Sequence, residues 1–198
     1  DRNESFGEAW NASLWAGDIP VFYFPYVNFP ITNERKTGLL YPLVATGSGS
    51  FKYVQPIYFN LAPNYDLTFT PAWYGEHHAQ YNTEFRYMPW SNLFGTVTFN
   101  YLPDDSSWTP YDGSTSKKRW YLHLTDYASF LQGRLGVGLD YQRVRPNDYS
   151  YLSDLATPNA AITDDHLMQR LWSSYGEQTY TLGAELRRYQ VLLPEYRG

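Results

Sequence analysis

Residues 64–74 alternate strictly: Tyr65, Leu67, Phe69, Pro71 and Trp73 fall on one face, and Asp66, Thr68, Thr70, Ala72 and Tyr74 on the other. A period of two marks a pleated strand with unlike faces. About eleven residues is also what a tilted strand needs to cross a bilayer. The rhythm then repeats. Tyr81, Thr83, Phe85 and Tyr87 alternate with Asn82, Glu84 and Arg86, and Gly95, Val97, Phe99 and Tyr101 with Thr96, Thr98 and Asn100. Further on, Trp120, Leu122 and Leu124 alternate with Arg119, Tyr121, His123 and Thr125. Leu135, Val137, Leu139 and Tyr141 alternate with Gly136, Gly138, Asp140 and Gln142, and Tyr180, Leu182, Ala184 and Leu186 with Thr181, Gly183, Glu185 and Arg187.

Polar turns separate these segments: 75–78, 89–92 and the Asp-, Ser-, Pro- and Gly-rich 103–117. One helix is predicted, over 166–172, capped by Thr163-Asp164-Asp165 within the connection 145–178. Strands with one apolar and one polar face suit either a soluble sandwich or a membrane barrel around a wet lumen, and periodicity does not separate the two. Two details favour the barrel. Trp73, Tyr74, Tyr87, Trp90, Tyr101, Trp120 and Tyr121 cluster at strand ends, as interfacial girdles do. Short turns also alternate with longer loops, as in up-and-down barrels.

Composition agrees with strands. Of 198 residues 19% are aromatic (20 Tyr, 11 Phe, 7 Trp) and 18% charged, with 13 Pro and 14 Gly set against long helices. Mean hydropathy is −0.52. The longest charge-free stretch, 87–103, is studded with Asn, Ser, Thr, Gly and Pro, which excludes a membrane-spanning helix but not a membrane barrel. A net charge of −5 gives no reason to expect nucleic acid, and without cysteine there is no disulfide or thiolate framework. The polar start Asp1-Arg2-Asn3-Glu4 reads as the middle of a protein, with any targeting signal removed or upstream.

Candidate chemistry is sparse. Glu76-His77-His78 could suggest a metal, but adjacent residues on a strand point to opposite faces and a turn pair is more often solvated. Asp104-Asp105 and Asp164-Asp165 read as loop and cap acids, and Asn11-Ala12-Ser13 as a chance sequon. Ser, His and Asp occur in no nucleophile setting such as G-x-S-x-G. No catalytic residue, metal site or cofactor is assigned. Glu84, Arg86, Arg119, His123, Arg134, Asp140, Glu185 and Arg187 are expected to form a solvated ion-pair network on the polar face.

The stretch 19–87 resembles the LPS-assembly protein LptD family. The residues that carry this are Ile19-Pro20-Val21-Phe22-Tyr23-Phe24-Pro25-Tyr26, Phe29-Pro30 and Arg35-Lys36-Thr37-Gly38-Leu39-Leu40-Tyr41-Pro42. Gln55-Pro56-Ile57-Tyr58-Phe59-Asn60-Leu61-Ala62-Pro63-Asn64-Tyr65-Asp66-Leu67-Thr68, Thr70-Pro71 and Glu84-Phe85-Arg86-Tyr87 continue it. Lys36-Thr37 and Ile57-Tyr58-Phe59 depart mildly from the family's usual Arg-Ser and Tyr-Tyr-Trp. The resemblance implies an all-β chain. Residues 1–34 would end a periplasmic jelly roll and its linker, and 35–198 would form about the first eight strands of a large antiparallel transmembrane β-barrel, so the chain would be a fragment. It also implies a non-enzymatic role in the bacterial outer membrane: passing lipopolysaccharide (LPS) through the barrel and a lateral gate. The implied partners are the LptE lipoprotein plug, the periplasmic bridge LptA, the barrel-assembly machinery (BamA) and outer-membrane lipids.

Pro42 and Pro56 fall inside the first two predicted barrel strands, where proline cannot donate to a ladder. Beside the seam that the resemblance implies, they would weaken lateral pairing at the gate. Alternatively they mark bulges that add twist. Pro20, Pro25 and Pro30 suit a bent connection, where Val21, Phe22, Phe24 and Phe29 either line a lipid path or form jelly-roll core. Two other functional classes remain. A secreted carbohydrate-binding β-sandwich would fold without detergent, and a barrel lipase would hydrolyse lipid esters.

Overall fold

The alternating segments form antiparallel strands in a computed structural model, which describes residues 6–16, 19–30, 35–47, 50–77, 79–155 and 166–193. β1 (Phe6–Ala16) and β2 (Ile19–Pro30) make a two-stranded sheet paired from Phe6↔Pro30 to Ala16↔Ile19, with a register shift between Leu14 and Trp15. The remaining strands are β3 (Gly38–Leu39), β4 (Leu43–Gly47), β5 (Ser50–Val54), β6 (Ile57–Ala62), β7 (Tyr65–Tyr74), β8 (Ala79–Trp90), β9 (Leu93–Leu102), β10 (Arg119–Phe130), β11 (Leu135–Val144), β12 (His166–Gly176) and β13 (Thr181–Val191). They build one eleven-stranded sheet in the order β13-β12-β11-β10-β9-β8-β7-β5-β4, with β6 also on β7 and β3 on β6. From β7 onward each strand pairs with its sequence neighbours, an up-and-down meander. The sheet is open, as suits the early part of a larger barrel.

β3 with β4, and β5 with β6, are each one wall position broken in two, so the described residues supply nine positions where about eight were expected. The additional one corrects the sequence reading. Residues 166–172 are not a helix. His166 to Gly176 form β12, paired with β11 from Leu135↔Tyr175 and with β13 from His166↔Val191. A short apolar run fits both periods, and ladders offered on both sides outweigh local propensity. The predicted cap, 163–165, lies outside the described residues. Among these, the connection between β11 and β12 holds only one helical turn, α1 (Tyr151–Asp154).

Burial is inverted relative to a soluble sheet. Asp66, Gln80, Asn82, Thr98 and Asn100, all on the polar face, are buried, whereas Leu186 on the apolar face is 72% exposed. Trp73, Tyr81, Phe99, Leu171 and Leu182 on the apolar face are exposed as well. Rings stack across that face, Tyr65 on Phe85 at 6.1 Å and Phe85 on Tyr87 at 5.8 Å. A sandwich would bury these side chains under a second sheet, whereas a wall in lipid leaves them outward. One acid breaks the pattern. Asp126 sits on the apolar face and accepts a hydrogen bond from the Tyr87 hydroxyl, which reaches it over Gly95. A Cβ at Gly95 would collide with that phenol.

Among the described residues there is one compact apolar cluster, and it lies at the end carrying the long loops. Tyr151, Leu152 and Leu155 of the α1 segment pack with Leu102, Tyr121, Val144, Leu167 and Leu192. Tyr121 and Val144 are cross-strand partners, and Leu102 pairs with Arg119, so the loop folds in over the polar face.

Candidate functional site

Three features converge on the polar face: a broken seam, an arginine bridge at the short-turn end, and a loop anchor at the other end.

The seam lies where β3/β4 meets β5/β6. Pro42 stands in the gap between β3 and β4, and Pro56 in the gap between β5 and β6. Leu40 still donates its N–H to Pro56 O at 2.9 Å, and Gln55 its N–H to Pro71 O at 3.0 Å. In an antiparallel pair a residue's N–H and C=O face the same neighbour. The missing N–H of Pro71 therefore faces Gln55, and a third proline joins the two expected from sequence. Side chains replace part of the ladder. The Gln55 amide donates to Leu40 O at 2.9 Å and Pro56 O at 3.0 Å, while its Oε1 accepts from the Tyr53 hydroxyl at 2.9 Å. Each such bond contributes about 1 kcal/mol net.

Below the seam, Asp66 is 1% exposed and held by two arginines. Arg86 Nε and Nη2 donate to it at 2.7 and 2.9 Å, and Arg35 pairs with it from the segment before β3. Tyr58 adds a 3.2 Å bond to the same carboxylate. Arg35 also donates to the Tyr58 hydroxyl and Pro63 O, and its own carbonyl accepts from Asn60 at 2.6 Å. The segment entering the large sheet is thereby tied to β6, β7 and β8.

The loop anchor centres on Arg119, wholly buried at the start of β10. It donates to Asp148 through Nε and Nη2, both at 2.8 Å, and through Nη1 to Asp105 at 2.8 Å and Asp154 at 3.0 Å. The Trp108 ring lies 4.8 Å from its guanidinium and 5.1 Å from that of Arg145. Asp105 comes from the loop 103–118 and Asp148 and Asp154 from 145–155, so one cation ties both loops to the wall. Ser107 donates to Asp105 at 2.6 Å, and His77 Nδ1 lies 3.0 Å from both Asp105 oxygens. Burial pushes the Asp105 carboxyl up, but bonds from Ser107, Arg119 and His77 outweigh it and hold the group below the usual carboxylate value. For Asp148 burial wins over the Arg119 attraction, and the value is raised.

The polar-face charges do pair, some with one another and some with Asp66 and Arg170, which were not in the expected set. Arg86 meets Asp66, His123 meets Asp140 at 3.0 Å, and Glu185 meets Arg170 at 2.8 Å and Arg187. Arg134 leaves the face: it lies in the turn after β10 and pairs with Glu177 at 2.8 Å. Arg119 is not solvated but is the buried hub. His77 belongs to this anchor; His78 and the side chain of Glu76 lie outside the described residues. Val21, Phe22, Phe24 and Phe29 lie along β2, where Phe22 pairs with Leu14 and Phe24 with Ala12, but their side chains are outside what is described. Sequence reasoning missed Gln55, Pro71, Arg35 and the Arg119 hub. Pro71 was visible in the alternation, yet its alignment with Gln55 depends on register.

Residues 117–197 match a family model described as LPS transport system D. Relatives named LPS-assembly protein LptD match almost the whole chain. The one from Aeromonas salmonicida (strain A449) is 40% identical over 198 residues, covering 98% of this chain and 24% of the relative. The one from Chromohalobacter salexigens is 38% identical over 200 residues, 97% and 24% respectively. That from Yersinia pestis bv. Antiqua (strain Antiqua) is 31% identical over 194 residues, 96% and 24%. The chain spans about a quarter of the length of the curated relatives it matches.

Proposed function

We propose, for a chain that belongs to the LptD family, that it forms the first part of an outer-membrane barrel wall through which LPS reaches the outer leaflet. The observation that carries this reading is the inverted burial: polar side chains buried on the polar face and large apolar ones exposed on the other. That arrangement separates a wet passage for sugars from a lipid-facing exterior. The loops 103–118 and 145–155 would be extracellular and the short turns periplasmic. Residues 1–34 would then precede the wall on the periplasmic side, with Val21, Phe22, Phe24 and Phe29 on the lipid's route into it. The role is translocation, with LptE as lumenal plug, LptA delivering LPS and the BamA machinery inserting the barrel.

Pro42 and Pro56 are the gate residues in this reading. LPS carries acyl chains that must leave sideways into the membrane, so the wall must part along one seam. Strand gaps at both prolines, with Pro71 facing Gln55, lower the hydrogen-bond cost of parting there. The experiment is the double variant Pro42→Ala, Pro56→Ala in the full-length parent protein. Impaired LPS export with normal barrel assembly is expected; normal export would overturn the gate.

A further inference from the structure

Asn82 and Asn100 face each other across β8 and β9 on the polar face, and Asn100 is 0% exposed. Neither Nδ2 nor Oδ1 of Asn100 finds a hydrogen-bond partner among the described residues, nor does Oδ1 of Asn82. Buried amides are almost always paired, so two with open atoms in register call for a reason. Both line a recess of about 310 Å³ whose wall includes Val54 and Pro56. The recess thus opens directly behind the seam.

The rest of the lining narrows the chemistry. Thr70, Thr98 and Glu84 add hydroxyls and a carboxylate, and Tyr74, hydrogen bonded to Asn82, adds an aromatic face. Among the described residues this lining holds no arginine or lysine, while Glu84 repels anions. Amides that both donate and accept, hydroxyls, one carboxylate acceptor and a ring match the hydroxyl-studded edge and apolar face of a sugar. A phosphate would need cations.

We infer that this recess is a subsite for one neutral saccharide ring, held by Asn82 and Asn100 beside the Pro56 break. It rests on the reading of the polar face as a passage for LPS, and names the part of the cargo that is held there. The sugar satisfies the amides that the fold leaves open, and the glycan is steadied while the neighbouring seam parts for the acyl chains.

The test uses the full-length parent barrel in detergent micelles and, as probe, core oligosaccharide freed of lipid and phosphate, with binding read by calorimetry. Wild type is expected to bind, with inorganic phosphate failing to compete. Asn100→Leu is expected to bind about tenfold more weakly without loss of thermal stability, because an apolar replacement removes an unpaired buried amide. Thr98→Val, a milder change, is expected to weaken binding less. No binding by wild type, displacement by phosphate, or unchanged affinity in both variants overturns the subsite. No export is measured here, so failure leaves the transport reading standing. Normal export by the proline double variant would instead overturn that reading without touching the binding result.

Discussion

Arg119 grips Asp148 through two parallel hydrogen bonds of 2.8 Å, with both side chains completely buried. This fork joins the start of β10 to the loop after β11, and Nη1 of the same guanidinium reaches Asp105 in the loop before β10. Replacing Arg119 by Met leaves buried carboxylates without their cation, a loss of about 3–5 kcal/mol in comparable sites. We expect R119M to keep its strands but release both loops. Limited proteolysis of the folded barrel should then cut within 103–118 and 145–155, where wild type resists. Lys at this position restores charge but not the fork, and should rescue only partly.

The same anchor predicts an acid response. Asp105 is held below its ordinary value near 3.9. Its stabilising contribution is therefore complete above that value and lost as pH falls through the lower folded one. Asp148, raised by burial, acts in the opposite sense, favouring the folded state less as pH rises through its folded value. Hydrogen exchange over 103–118, corrected for its intrinsic pH dependence, should accelerate as pH drops from about 5 to about 2.5. In Asp105→Asn that stretch should exchange faster already at the upper pH and respond less to acid. An acid response as steep as that of wild type would count against this assignment.

The two faces of the sheet should tolerate charge differently. Leu186 points out from β13 and is 72% exposed, opposite Leu171 of β12. Lysine there would meet hydrocarbon, at a cost of about 2–4 kcal/mol near the membrane midplane. Leu186→Lys should reduce folding into lipid vesicles, followed by heat-dependent gel mobility of the full-length protein. Thr125→Lys, on the polar face beside Asp140, should fold normally.

Gln55 should govern how readily the seam opens. Its side chain supplies bonds to Leu40 and Pro56 where the prolines remove ladder donors. Gln55→Leu removes both, worth about 1 kcal/mol each. Amide exchange over 38–57 is expected to rise at least several-fold in Q55L, while exchange over β10 and β11 stays unchanged. Unaltered exchange at the seam would mean that the prolines, not the glutamine, set its strength.

The period-two alternation and the positions of Pro42 and Pro56 were sufficient for an all-β wall with a polar and an apolar face and two proline-marked strands. Those features depend on local pattern and on proline's missing N–H, which travel with the chain. β12 was not legible, because His166 to Trp172 satisfies helical and strand periods alike and only the ladders of β11 and β13 decide between them. The Arg119 hub required loops distant in sequence to fold back on one strand, and Asp105 read alone is an ordinary loop acid. Pro71 acquired meaning only when register set it against Gln55, and Asn100 only when burial left its amide unpaired. Alternation determines which face a side chain occupies; which partner it meets depends on register and loop closure, which tertiary contacts between distant segments decide.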